Sequence, residues 1–208
     1  MVNNSCRQQK IGIMGGTFNP IHNGHLALAQ HAMDELSLDS ILFIPSGISW
    51  LKADQNVLDA SIRAEMTRLA IEDEPLFQLS LVEVEREGNS YSYETVLALK
   101  QKNPNTEFYF IMGADSVLSL NKWVHPEILL RECTILAAVR DDCDRLHLEK
   151  QIRILKKEYN AKIIPLSMPK MDISSSEIRA ALRKGDAIHG LVPESVETYI
   201  DTHKLYLG

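Results

Sequence analysis

Apolar residues along this 208-residue chain fall into two alternating rhythms. Short, near-continuous apolar runs predict buried strands at Lys10–Met14, Ser40–Pro45, Leu76–Val84, Glu107–Met112, Cys133–Val139 and Lys162–Leu166. Between them, helical spacing predicts helices near Gly24–Ser37, Asp59–Asp73, Tyr93–Lys102, Asp144–Asn160, Ser175–Lys184 and Glu194–His203. In the first of these, Leu26, Ala29, Met33 and Leu36 share one face. In Ser61–Ile71, Ile62, Met66, Leu69 and Ala70 lie on one side, so Arg63 and Arg68 read as surface residues. Leu148, Ile152, Leu155 and Tyr159 form the inner stripe of a charged later helix. This alternation predicts an α/β fold in a single domain over residues 1–208. Its sheet is doubly wound and mostly parallel, with helices on both faces. Ligands of such folds bind beyond the carboxyl ends of the strands, where strand order reverses.

The stretch Gly15–Leu26, GGTFNPIHNGHL, joins the first strand to the first helix. Gly15 and Gly16 admit backbone N–H groups close to a ligand, where a Cβ would block them. Asn23 is a residue type expected to cap the helix. A helix beginning near Gly24 turns its unpaired N–H groups and positive dipole end to the same place. His22 and His25, three apart, face it from the helix entrance. A glycine pair or a single histidine is ordinary. The HxGH spacing directly behind a strand and a GGTF turn describes a phosphate site.

Two later stretches carry further chemistry. The strand ending at Met112 runs into Gly113, Ala114 and Asp115, whose carboxylate can accept hydrogen bonds from ribose hydroxyls. Trp123 offers either a stacking surface for an aromatic base or a plug against the core. In Asp172–Leu182, DISSSEIRAAL, Ser174 and Glu177 have capping-box spacing, which starts a helix at Ser175. Three serines and free N–H groups at a helix start suit a polyphosphate, and Arg179 lies one turn in, where it can fork onto phosphate oxygens. The same residues also make a plain capped helix, with Gly185 as its stop.

Composition narrows the class. Hydrophobic residues make up 45% and charged residues 24%, as in ordinary globular proteins. A net charge of −6 argues against nucleic acid or an anionic membrane as the main partner. Cys6, Cys133 and Cys143 have no CxxC spacing, which fits free thiols in a reducing cytoplasm and gives no zinc site. The N-terminus lacks the apolar core of a signal peptide, and no stretch approaches the roughly 20 apolar residues of a membrane span. The expected location is cytoplasmic.

These segments resemble the nucleotidyltransferase superfamily. HxGH behind a first strand is its first signature, and ISSSxxR, here Ile173–Arg179, is its second. GGTFNPIHNGHL is similar to the form in bacterial nicotinate-nucleotide adenylyltransferases, GGTFDPPHxGHL, with Asn19 and Ile21 as departures. Glu83–Val96 resembles E-x-x-R-x-G-x-S-Y-T-x-D-T-L, with Glu85–Gly88 slightly out of register and Ser92 in place of Thr. Phe108–Trp123 resembles the GxD…L…W pattern, and Val192–Leu207 the family's closing helix. The Pro45–Asp59 loop departs most from its usual PxGxxPPHK. Lys52 falls on the Lys, but Trp50 and Leu51 stand where Pro and His are expected. Lys52 is thus a phosphate cation or a solvated lysine, and Trp50 a lid or a loop anchor.

The resemblance implies a Rossmann-like nucleotidyltransferase fold and a transferase of NAD biosynthesis. ATP and nicotinate mononucleotide would give deamido-NAD and pyrophosphate. It assigns His22, His25, Lys52 and Arg179 to the phosphates and catalysis, with Thr17 as a hydroxyl donor. ATP binding extends over Gly15, Gly16, Phe18, Gly113, Ile173, Ser174, Ser175 and Ser176, with Asp115 on the ribose. Ser92 and Trp123 fall on the pyridine side. Nearby phosphates should raise an imidazole pKa. Mg²⁺ arrives on ATP, because no cluster of Asp, Glu or His makes a cage from protein alone. Two alternatives stay open. A pantetheine-phosphate adenylyltransferase shares both signatures but lacks the SYxxxT and GAD…W segments. A non-catalytic nucleotide-binding protein fits Leu51, although His22, His25 and Arg179 are retained. A homo-oligomer is compatible with the sequence, which does not fix the oligomeric state.

Overall fold

The computed structural model describes residues 7–49, 57–139, 142–167 and 172–207. Its strands are β1 (Gln9–Gly16), β2 (Ser40–Pro45), β3 (Ile48–Ser49), β4 (Phe77–Leu79), β5 (Asn89–Ser90), β6 (Thr106–Gly113), β7 (Thr134–Val139) and β8 (Ile163–Ser167). Its α-helices are α1 (Asn23–Leu36), α2 (Ala60–Ile71), α3 (Ser92–Lys102), α4 (Ala114–Ser119), α5 (Pro126–Glu132), α6 (Asp142–Tyr159), α7 (Ser175–Lys184) and α8 (Glu194–Thr202). Six strands form one sheet in the order β4–β2–β1–β6–β7–β8, and every neighbouring pair is parallel. The doubly wound α/β expectation holds. β3 and β5 make a separate two-stranded ladder beside it.

The two-residue side-chain period of a strand explains why helices cover both faces. Along β6, Phe108, Phe110 and Met112 join one core, with residues of α3, α4, α5 and α6. Tyr109 and Ile111 point the other way, into a core built with α1, α2, α7 and α8. Each fully buried Phe, Ile or Leu contributes roughly 1.5–3 kcal/mol, so this double burial holds the strand ends rigidly. β1 lies between β2 and β6, with Met14 opposite both Phe43 and Ile111. The chain winds outward from β1 in both directions. Its strand order reverses between β1 and β6, where a binding crevice is expected.

Three boundaries differ from the sequence reading. The strand expected over Leu76–Val84 is confined to Phe77–Leu79: Ser80 donates to the Phe43 carbonyl, and a bond from Glu85 N–H to the Leu81 carbonyl then turns the chain. Two short helices, α4 and α5, occupy a stretch read without helices. They are separated by a 3₁₀ turn at Leu120–Lys122 and by His125 in the left-handed region at φ 50°. Helical periodicity cannot build up over such short pieces. The third is the start of α1, described below. Among the described residues, no helix is long and apolar enough to cross a membrane.

Candidate active site

The first signature loop is built around a buried ring. Phe18 adopts a left-handed backbone, φ 48°, which for a bulky residue costs on the order of 1–3 kcal/mol. Its ring is 2% exposed and lies against Phe43 and edge-on to His25, with centroids 6.2 and 5.0 Å away. That burial offsets the strain. A Cβ on Gly16 would come within 2.7 Å of the ring, so the glycine makes room for Phe18.

His22, not Asn23, is the N-cap of α1. Asn23 is held elsewhere: its side-chain amide donates to the Gly190 carbonyl at 2.8 Å and its backbone N–H to that of Leu191. His22 is buried, and its backbone N–H donates to His25 Nδ1 at 3.3 Å, while the two imidazoles lie against each other, tilted by 31° with centroids 3.7 Å apart. With Nδ1 accepting, the neutral His25 ring carries its proton on Nε2, ready to donate. A Cβ on Gly24 would sit 3.0 Å from His22 Nδ1. The HxGH spacing is therefore a packing device: the glycine leaves room for the first imidazole, and the first supports the second.

The second signature opens α7 in the manner expected. Ser174 is the N-cap, accepting from Glu177 N–H at 3.2 Å and donating to the Glu177 carboxylate at 2.7 Å. Gly185 closes the helix in the left-handed region. The Ser175 hydroxyl donates to the Pro20 carbonyl at 2.8 Å, and Arg179 Nη1 donates to that of Asn19 at 2.8 Å. Arg179 Nη2 reaches the Ser176 hydroxyl at 3.4 Å. A Cβ on Gly24 would lie 3.8 Å from Ile173 Cβ, so the openings of α1 and α7 abut. Asn19 is the junction: its side-chain oxygen also accepts from the Tyr206 hydroxyl at 2.9 Å and from Leu58 N–H at 3.3 Å.

At the switch point lies a cleft of about 390 Å³. Gly15, Gly16, Thr17 and His25 line one side; Gly113 and exposed Asp115, in the first turn of α4, continue it. Ser92, the first residue of α3, and half-buried Trp123 line it as well. Phe18, His22, Arg179 and Ile173–Ser176 do not line this cleft; they adjoin it through the loop they share. Trp50, Leu51 and Lys52 lie outside the described residues. Among the described residues, no three His, Cys, Asp or Glu side chains gather in a way that could hold a metal ion.

A family model described as cytidylyltransferase-like matches residues 13–181. A protein of Lachnoclostridium phytofermentans named probable nicotinate-nucleotide adenylyltransferase is 44% identical over 199 residues, covering 96% of this chain and all of that one. This chain belongs to the nicotinate-nucleotide adenylyltransferase family. A Clostridium tetani member of the same name is 37% identical over 95% of this chain and 99% of its own. Two solved structures of Plasmodium falciparum nicotinic acid mononucleotide adenylyltransferase, one complexed with APC and one with NaAD, superpose with TM-scores of 0.74 and 0.72. At 21% and 22% identity, each covering 95% of this chain and 97% of the other, they share its fold.

Two residues of this family member escaped the sequence reading. Arg63, read as a surface residue, is 2% exposed. An amphipathic pattern assigns charge to the solvent side, and one buried arginine on an inner face does not alter it. Glu83 lines the cleft without having been singled out, and accepts from the Thr95 hydroxyl at 2.8 Å. Burial pushes its carboxyl above the ordinary value, against the opposing pull of the Thr95 bond and Arg86.

Proposed function

We propose that this chain transfers the adenylyl group of ATP to nicotinate mononucleotide, giving deamido-NAD and pyrophosphate. The mononucleotide phosphate oxygen attacks the α-phosphorus in line as the bond to the β-phosphate oxygen breaks. The attacking oxygen is already anionic, so no general base is required. Catalysis then consists of alignment and of neutralising charge on the leaving pyrophosphate.

What supports this reading most is the bridge between the two signatures, from Ser175 and Arg179 to the Pro20 and Asn19 carbonyls. It sets two helix openings beside one cleft, and helix N-termini favour phosphates. His25 donates from Nε2 to phosphate oxygens with His22 behind it. Arg179 keeps Nη1 on Asn19 and directs its remaining N–H groups to the triphosphate, beside Ser174, Ser175 and Ser176. Gly15, Gly16, Thr17 and Gly113 supply close backbone and a hydroxyl, and Asp115 takes the ribose. Ser92 and the α3 opening receive the pyridine carboxylate, while Trp123 stacks on the ring. Lys52 adds a cation from its loop. Mg²⁺ enters as part of the ATP substrate. The working unit is the single domain, acting in the cytoplasm.

The deciding assay measures pyrophosphate release from Mg²⁺ and ATP with nicotinate mononucleotide, nicotinamide mononucleotide or 4′-phosphopantetheine in parallel. The first should be used best. Preference for the pantetheine substrate, or no release with any, would overturn the assignment.

A further inference from the structure

Arg63 sits in α2 with its guanidinium sealed from solvent. Nε donates to the Leu58 carbonyl at 2.8 Å and Nη1 to the Thr17 carbonyl at 2.6 Å. Nη2 donates to the Ser46 carbonyl at 2.6 Å and to that of Gly47 at 3.1 Å. Among the described residues it forms no ion pair with a carboxylate. A buried cation held by neutral carbonyls is an expensive arrangement for stability alone, because burying a charge without a counter-ion is strongly unfavourable. Burial depresses its pKa from the ordinary arginine value, while Tyr206, Asp59 and Glu83 oppose that, and a guanidinium stays charged throughout.

Its four carbonyls come from separate places: the GGTF loop, the turn after β2, and Leu58, two residues before α2 begins. Thr17 and Ser46 both line the cleft. A trans peptide sends its C=O and the next N–H in opposite directions. Drawing the Thr17 carbonyl toward Arg63 therefore turns the Phe18 N–H away from it. Only a planar fork with five donors can satisfy acceptors in this spread; a lysine ammonium cannot match it.

We propose that Arg63 is a positioning residue: it ties the GGTF loop, Ser46–Gly47 and Leu58 into one rigid backbone that receives the ATP phosphates. This role rests on the adenylyl-transfer reading above. Arg63 touches no substrate. It acts through the carbonyls it holds, and its charge lies behind an anion site.

The test compares Arg63→Lys and Arg63→Met with Arg68→Lys, an exposed arginine of the same helix paired with Glu65 and Glu72. Amide hydrogen exchange is read without substrate, and kcat and KM for ATP are read at a temperature where each variant is folded. Arg63→Lys should speed exchange in Thr17–Asn19 and Ser46–Gly47 while β1, β2 and β6 stay protected. Its kcat should fall about 100-fold, the scale of a small misplacement, with a smaller change in KM. Arg68→Lys should match the parent in both. Parental exchange in both loops, evenly faster exchange across the sheet, or parental kcat in Arg63→Lys would each overturn the proposal. Should Arg63→Met fail to fold, the lysine variant decides. A parent protein without turnover would instead sink adenylyl transfer, and the exchange comparison would still judge Arg63.

Discussion

The openings of α1 and α7 meet at one loop but are made differently. α7 begins with a serine and a glutamate that satisfy each other, so its cap is complete without a ligand. α1 begins with a histidine whose ring lies against that of a second histidine, and no Ser, Thr or Asp stands at its cap. The first opening is built for stability and lends its position. The second closes its capping box with two imidazoles, His22 and His25, in place of a serine and a carboxylate. The lesson is that a substitution at each cap should read out differently, in melting temperature at α7 and in turnover at α1.

His25→Ala should have the largest effect, lowering kcat by about 10²–10³-fold, the scale of losing one preorganised donor, with circular dichroism unchanged. An undiminished turnover would erase the contrast. Arg179→Lys should come next. It removes a fork that holds Asn19, and a hydrogen bond with a charged partner is worth about 1.5–3 kcal/mol, or roughly 10- to 100-fold in kcat/KM for ATP. Steady-state kinetics at varied ATP will show it. Ser174→Ala should be smallest: a lost cap of about 1 kcal/mol, seen as a lower thermal midpoint, with turnover falling far less than in His25→Ala. If its turnover loss matched that of His25→Ala, the two openings would not be divided as described.

The same contrast explains what could be read from the sequence. α7 was legible to the residue, because Ser174, Glu177 and Gly185 are local signals with local causes. The six sheet strands were found because burial on both faces leaves unbroken apolar runs. The family resemblance was borne out, since GGTFNPIHNGHL and ISSSEIR are short motifs that persist as sequence. The start of α1 was misread because Asn23 is the better cap by residue type, and only tertiary structure diverts its amide to Gly190. Phe18 carries no local sign of its left-handed backbone, which depends on a pocket made with Phe43 and His25. Arg63 stayed hidden because its partners are backbone carbonyls, and those have no sequence identity to recognise.

The Tyr206 hydroxyl reaches Asn19 across 187 positions of chain. On a ribosome, that loop would therefore emerge 187 positions ahead of the side chain that fastens it. A nascent chain that already holds all six strands of the sheet would still carry that loop slack, so competence for nucleotide should arrive only once Tyr206 has emerged.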